Sequence, residues 1–154
     1  MSLKVGTKAP NFSLPSTSGK NFTLNIDKIG KPLIIYFYPK DFSAGCTAEA
    51  CEFRDTFSLF RGFDIDIVGI SRDSVLTHKE FKKAHNLPFE LLADEDGEVA
   101  KLYDSVVPLI NFTKRTTYLL DKQHKIVAVY ENLFSATSHI KNMVQQVKNP
   151  QIIS

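Results

Sequence analysis

The 154-residue chain contains no tryptophan, only two methionines and only two cysteines. Two cysteines are too few for a disulfide framework, which excludes the small secreted proteins that several bridges hold together. The longest wholly apolar or aromatic run, Leu33–Tyr38, is too short to span a membrane. Positive and negative residues are interspersed and sum to only +2. We therefore expect a protein that binds neither membranes nor nucleic acid.

The composition is instead typical of one globular domain. Hydrophobic residues make up 43% of the chain and charged residues 23%, enough to bury a core without metals or staples. Since no repeat or linker interrupts the sequence, we expect a single domain over 1–154, with a core at about 5–147 and a tail at 148–154. The segment Met1–Gly6 lacks the apolar stretch of a secretory signal. We therefore expect a cytoplasmic protein, in which cysteines are kept as thiols.

Hydrophobic periodicity and turn residues predict that strands alternate with helices. The predicted strands are a short N-terminal pair at a sheet edge (Asn11–Leu14 and Phe22–Leu24), then Leu33–Phe37, Phe63–Ile70, Phe89–Leu92, Arg115–Leu120 and Lys125–Tyr130. The predicted helices are Thr47–Arg61, Ser74–Asn86 with Leu76, Phe81 and Ala84 turned inward, Glu98–Tyr103, and Ser135–Val147 with an apolar stripe at Ile140–Val147. This order predicts an α/β fold with a central mixed sheet flanked by helices.

The two cysteines lie where a buried strand hands over to a helix. Cys46 follows Leu33–Phe37 and Pro39, and Cys51 comes five positions later. At a helix start, unpaired backbone N–H groups and the positive end of the helix dipole favour a thiolate. Because the thiolate is the reactive form of sulfur, this placement predicts a chemically active Cys46.

The spacing of the two cysteines constrains what they can do. On one helix, five positions give a rise of about 7.5 Å and separate the Cα atoms by about 8.6 Å. A disulfide needs Cα atoms within about 7 Å, so a bond between Cys46 and Cys51 requires at least one helical turn to unwind. The spacing differs from that of Cys-x-x-Cys oxidoreductases, and two cysteines without a paired Cys/His cluster argue against zinc. We expect no metal and no cofactor.

A peroxide is the electrophile that suits such a pair. A thiolate that attacks the O–O bond becomes a sulfenic acid, and a second thiol condenses with it to a disulfide. The attack also needs hydrogen-bond donors and a cation. Donors are offered by the hydroxyl of Ser43 and the N–H groups of Thr47–Glu49, while Gly45 allows close approach to the backbone. The sequence alone leaves three candidate cations open: Lys40, Arg54 and Arg115.

At these residues the chain resembles the peroxiredoxins. The family motif is a proline followed four positions later by threonine or serine and seven positions later by cysteine, which matches Pro39, Ser43 and Cys46. The wider resemblance is to the bacterioferritin comigratory protein (peroxiredoxin Q) subgroup and extends from about Val5 to Val147. It rests on Tyr36–Asp41, Gly45–Thr47, Glu49–Cys51, Phe53–Asp55, Val68–Ser71, Leu87–Asp94 and Arg115–Asp121. One departure is Ala44, where the subgroup usually has a proline that would stiffen the loop.

The resemblance implies a thioredoxin-like fold and thiol-dependent reduction of hydrogen peroxide and organic hydroperoxides. It also implies thioredoxin as the usual reductant and a mostly monomeric protein. The implied roles are peroxidatic for Cys46, resolving for Cys51, shielding the sulfur for Pro39, hydrogen bonding to the peroxide for Ser43, orienting the network for Glu49, and supplying the cation for Arg115.

Simpler roles stay open for several of these residues. Cys51 can be a core residue, Arg115 an exposed strand-end arginine, and Glu49 a favourable acid in a first helical turn. The four histidines, His78, His85, His124 and His139, show no metal-binding spacing and are expected at the surface or in packing roles. The alternative function is a noncatalytic redox sensor that uses the same disulfide as a switch. A general disulfide reductase is disfavoured by the cysteine spacing.

Overall fold

The computed structural model describes residues 2–131 and 142–145. Its helices are α1 (Leu24–Asp27), α2 (Ala44–Gly62), α3 (Val75–His85) and α4 (Glu98–Leu102). Its strands are β1 (Ser13–Pro15), β2 (Asn21–Thr23), β3 (Leu33–Phe37), β4 (Asp66–Ser71), β5 (Glu90–Ala93), β6 (Val106–Val107), β7 (Phe112–Thr113), β8 (Thr116–Leu120) and β9 (Ile126–Glu131). The predicted C-terminal helix, Ser135–Val147, lies largely outside the described residues. The part of it that is described, 142–145, is helical, and Met143 is buried.

The central sheet has five strands in the order β5-β4-β3-β8-β9. The pairs β3–β4 and β4–β5 are parallel, whereas β3–β8 and β8–β9 are antiparallel, which confirms the predicted mixed sheet. The strands β1 and β2 form a separate hairpin, which a bridge between Ser16 and Leu92 attaches to the edge strand β5. Strand β3 lies in the middle of the sheet because its apolar residues need cover on both faces.

The side chains of β3 alternate between two apolar cores, one on each face of the sheet. Ile34 and Tyr36 pack with α2 and α3, while Leu33, Ile35 and Phe37 pack on the face that carries the N-terminal hairpin and α4. This alternation follows from the two-residue period of a strand. The central position of β3 fixes the point at which the chain leaves the sheet and enters α2.

Tyr36 determines how closely α2 approaches the sheet. Its ring stacks on Phe53 of α2 at a centroid distance of 4.6 Å and lies opposite Gly69 in the register of β3 and β4. A Cβ atom at position 69 would lie 2.7 Å from the Tyr36 ring, so only glycine fits there. Gly69 therefore has a packing role.

Some sequence-based details are wrong. Helix α2 begins at Ala44 rather than Thr47, and β4 begins at Asp66 rather than Phe63. In α3, Leu76 and Ala84 are exposed, and the buried residues are His78 and Phe81. The apolar pattern failed in α3 because a histidine whose ring nitrogens find partners can be buried in place of a leucine.

Candidate active site

Cys46 is the third residue of α2, and its side chain is buried at 1% exposure. Ser43 is the N-cap residue with extended backbone angles, and its carbonyl accepts the first helical hydrogen bond from the N–H of Thr47 at 2.8 Å. The N–H groups without a helical acceptor therefore belong to 44–46, not to Thr47–Glu49 as the sequence predicted. The sulfur lies within the helix turn whose N–H groups and dipole favour negative charge.

The hydroxyl of Ser43 donates to the carbonyl of Lys40 at 2.9 Å and makes no cap bond to the helix. This bond closes the turn that follows Pro39, which is itself half-buried just beyond the end of β3. Residues 39–43 therefore form a short, folded loop, here called the cysteine loop, which leads directly into the helix that carries Cys46.

Arg115 is the cation at the sulfur. Its Nη2 donates to the Sγ of Cys46 at 3.4 Å, and its Nη1 donates to Oε1 of Glu49 at 2.6 Å. Arg115 comes directly before β8, whose first residue Thr116 pairs with Phe37 at the end of β3. The antiparallel register thus brings Arg115 to the same sheet edge as the cysteine loop. Of the candidate cations, Arg54 instead donates to Asp55 and to the backbone carbonyl of His85.

Two buried side chains of opposite charge lie beside the sulfur. Burial raises the pKa of Glu49 from its ordinary 4.5 to about 7, against the opposing attraction of Arg115. Burial disfavours the charge on Arg115, but Glu49 and Cys46 attract it strongly enough to raise its pKa above the ordinary value. The site therefore holds a permanent positive charge, oriented by Glu49, in contact with Cys46.

Gly45 leaves the approach to Arg115 open. A Cβ atom at this position would lie 3.0 Å from the Nη2 of Arg115, which is closer than side chains ordinarily pack. Glycine therefore lets the guanidinium lie against the helix backbone.

A buried polar network that the sequence did not reveal anchors the loop. The carboxylate of Asp41 accepts from the hydroxyl of Tyr38 at 2.5 Å, and its Oδ2 lies 2.6 Å from Nδ1 of His78. The Nε2 of His78 lies 3.0 Å from the carbonyl oxygen of Leu92, so both ring nitrogens face an oxygen. The side chains of Asp41 and His78 have no solvent exposure. The network ties the cysteine loop to α3 and β5.

Asp73 extends this network, and together with Asp41 and His78 it offers donor atoms of the kind that metals bind. Its carboxylate accepts from the N–H of Asp41 at 2.9 Å and from the hydroxyl of Ser71 at 2.5 Å. Two ligands of one ion stand about 3 Å or more apart when each bond is about 2.1 Å. The spacing of 2.6 Å between Asp41 and His78 is that of a hydrogen bond. The cluster thus serves to position the loop.

Phe42 packs the same loop against α3. It adopts a φ of 66°, a left-handed conformation that bulky residues rarely take. Its ring meets Phe81 edge-on at a centroid distance of 5.1 Å and is 52% exposed. An exposed aromatic ring therefore covers one side of the cysteine loop.

Cys51 lies on α2 together with Cys46, and both are free thiols. The predicted helix began at Thr47 and left Cys46 outside it, whereas the observed helix carries both cysteines, which is the arrangement that the spacing constraint considered. The side chain of Cys51 is half-buried, and its Sγ lies 3.9 Å from Nδ1 of His85 on α3. The helical separation of about 8.6 Å between Cα atoms leaves the two sulfurs out of bonding reach while α2 is intact.

Comparison with known proteins identifies the family. The AhpC/TSA family model matches residues 5–129. Over 150 residues the chain is 43% identical to the "Putative peroxiredoxin bcp" of Coxiella burnetii, covering 94% of this chain and 98% of that protein. The chain is a peroxiredoxin of the AhpC/TSA family. Membership in this family implies a thiol peroxidase.

Solved structures agree with the thioredoxin-like fold of this peroxiredoxin. The Mycobacterium tuberculosis peroxidoxin BcpB superposes with a TM-score of 0.89 at 30% identity, over 96% of this chain and 98% of that one. The bacterioferritin comigratory protein of Xanthomonas campestris, which is described as having alkyl peroxide reduction activity, superposes with a TM-score of 0.84 at 26% identity, over 94% of this chain and 98% of that one. Among the described residues, no helix is both long and apolar enough to cross a membrane.

Proposed function

We propose that this peroxiredoxin reduces hydrogen peroxide and organic hydroperoxides through Cys46, that Cys51 resolves the oxidised sulfur, and that thioredoxin or a similar dithiol restores both thiols. The observation that carries the proposal is the 3.4 Å contact between the Cys46 sulfur and the Arg115 guanidinium at the start of α2. A cation and free N–H groups beside one sulfur suit attack on an O–O bond.

In the first step, the Cys46 thiolate attacks one peroxide oxygen with an electron pair, and the O–O bond breaks. Cys46 becomes a sulfenic acid, and the other oxygen leaves as water or an alcohol after taking a proton. Arg115 and the N–H groups at the start of α2 stabilise the charge that develops on the leaving oxygen, while Glu49 keeps the guanidinium in place. Pro39 shields the sulfur from water, and the Ser43 oxygen, whose hydrogen is donated to the Lys40 carbonyl, accepts a hydrogen bond from the peroxide.

In the second step, Cys51 attacks the sulfenic sulfur, a disulfide forms and water leaves. Since the intact helix holds the cysteines too far apart, at least one turn of α2 unwinds first. Thioredoxin then reduces the disulfide by thiol exchange, which a reducing cytoplasm supports. Because both cysteines belong to the same helix, the disulfide forms within one chain, and a monomer is sufficient for the reaction.

Two serine variants test the proposal. Cys46→Ser is expected to abolish peroxide consumption, measured by coupling thioredoxin to its reductase. Cys51→Ser is expected to consume one equivalent of peroxide and then to stop, with a sulfenic acid detectable by mass spectrometry. Undiminished turnover in Cys46→Ser would contradict the proposal. A wild-type protein that oxidises once and does not turn over with any dithiol would point instead to the redox sensor.

A further inference from the structure

The surroundings of Cys51 contain a group that the reaction as described leaves unused. The Nδ1 of His85 lies 3.9 Å from the Cys51 sulfur, within reach of a hydrogen bond to sulfur. Cys51 lies in the middle of α2, and His85 is the last residue of α3. Two separate helices therefore bring an imidazole to the thiol.

The imidazole is held in this position from several sides. Its ring meets Phe81 edge-on at a centroid distance of 5.0 Å and lies 6.4 Å from the ring of Phe42. The carbonyl of His85 accepts a hydrogen bond from Nη1 of Arg54 at 2.9 Å. These contacts hold the backbone and the ring of His85 in place. The packing of the two helices therefore keeps the imidazole next to Cys51.

The basic side chains around Cys51 and His85 cannot accept the proton of the Cys51 thiol. Arg54 faces Cys51 from α2 and carries a permanent charge, which Asp55 partly balances at 3.0 Å. Lys82 and Lys83 stand in the last turn of α3, and Lys82 pairs with Glu90. Among these groups, the imidazole is the one that has a ring nitrogen able to accept a proton from a thiol.

We propose that His85 accepts the proton of the Cys51 thiol through Nδ1 and so prepares the thiolate that resolves oxidised Cys46. This rests on the proposed function, in which Cys51 is the resolving cysteine. The Cys51 S–H bond breaks and its proton moves to His85. The Cys51 thiolate then forms the bond to the Cys46 sulfur, and the displaced hydroxide takes a proton and leaves as water. Cys51–SH and Cys46–SOH thus give a disulfide and one water, without any further reactant.

The geometry places this proton transfer before the helix unwinds, because His85 meets Cys51 while α2 is folded. The attacking species is the thiolate, so the rate of resolution depends on the fraction of Cys51 that has lost its proton. Nearby Arg54 adds positive charge that favours the same thiolate.

A peroxide-free experiment tests the pairing itself. In a Cys46→Ser background, the pH profile of Cys51 alkylation by iodoacetamide is measured with His85 present and with His85→Phe, which keeps an aromatic ring at the position. We expect the midpoint in His85→Phe to move about one unit to higher pH, a tenfold loss of thiolate near neutrality. His85→Asn should behave like His85→Phe, whereas Lys83→Gln, an exposed change in the same turn, should leave the profile in place. Coincident profiles would overturn the proposal, and circular dichroism verifies that each variant is folded.

A second experiment follows the reaction with both cysteines present. After rapid mixing with hydrogen peroxide and acid quenching, mass spectrometry counts sulfenic acid and disulfide. In His85→Phe, oxidation of Cys46 should keep its rate, disulfide formation should slow about tenfold at neutral pH, and the two proteins should converge at high pH. Sulfinic acid at Cys46 should rise with excess peroxide. Equal disulfide rates at neutral pH would refute the role of His85, whereas failure of Cys46 to oxidise in any variant would refute the proposed function instead.

Discussion

At the scale of single residues, the arrangement around Cys46 depends on one buried ion pair. Arg115 uses different nitrogens for Glu49 and for the sulfur, which its planar, forked guanidinium permits. Glu49 has no solvent exposure, so its charge is costly unless Arg115 offsets it. The pair therefore holds the cation in place at some expense of stability.

That expense predicts a pH dependence of folding. The pKa of Glu49 is about 7 in the folded protein and ordinarily 4.5. Between these values the folded state binds the proton more tightly, so the free energy of unfolding falls as the pH rises through this window. The difference of about 2.5 units corresponds to a loss on the order of 3 kcal/mol. Urea unfolding of Glu49→Gln from pH 4 to 8 should show a shallower decline than the wild type. Glu80→Gln, an exposed change on α3, should keep the wild-type slope, and a parallel slope in Glu49→Gln would contradict the prediction.

Arg115 gives a second prediction at this scale. Arg115→Met removes the donor at the sulfur and should slow oxidation of Cys46 by about 10²–10³-fold, the range found when one charge-stabilising donor is lost. Arg115→Lys keeps the charge but cannot contact Glu49 and Cys46 in the same forked geometry. Its rate of Cys46 oxidation should therefore fall between those of the wild type and Arg115→Met. Competition with a peroxidase of known rate measures both. A wild-type rate in Arg115→Met would remove the cation from the mechanism.

At the scale of elements, α3 is the support against which the cysteine segment is built. His78, Phe81 and His85 occupy one stripe of this helix. They contact Asp41, Phe42 and Cys51 respectively. The spacing of three and seven residues puts the stripe on one helical face. Helix α3 therefore positions both the loop before Cys46 and the thiol of Cys51.

The Asp41–His78 contact should make a large contribution when only one partner is removed. His78→Leu leaves the carboxyl of Asp41 buried without its main partner, and such losses typically cost about 3–5 kcal/mol. The double variant Asp41→Leu/His78→Leu should cost less than the sum of the two single changes, because neither the carboxyl nor the imidazole is then left buried without the other. Chemical denaturation of all four proteins measures the coupling. Strict additivity would show that the two side chains do not act together.

The elements around the site show which features the sequence can predict and which it cannot. Strand β3 was predicted with its observed bounds because an apolar run bounded by proline has few other solutions. The inward face of α3 was predicted wrongly, because hydrophobicity cannot show that Asp41, distant in sequence, provides a partner for His78. Arg115 was only one of several candidate cations, since the β3–β8 register selects it. His85 was assigned a surface or packing role, and its contact with Cys51 depends on how two helices cross.

At the scale of the whole molecule, oxidation gains the stability of a disulfide but loses packing in the core. Phe53 follows Cys51 by two residues and stacks on Tyr36 beneath α2. A disulfide that closes so short a loop contributes about 2 kcal/mol. Exposing one large apolar side chain costs about 1.5–3 kcal/mol. Because these terms nearly cancel, the change in total stability is a poor measure of the rearrangement, and the local order of α2 is a better one.

We therefore expect the oxidised protein to keep its sheet and lose helix around the cysteines. Far-ultraviolet circular dichroism should show less helix after one equivalent of peroxide, and trypsin should cleave after Arg54 faster than in the reduced protein, because proteases cut locally opened segments. Cys51→Ser, treated identically, should form the sulfenic acid but keep its helix and its resistance, since no bond pulls the turn apart. Unchanged helix content and cleavage in fully disulfide-bonded wild type would mean that the sulfurs meet by some movement other than the unwinding of α2.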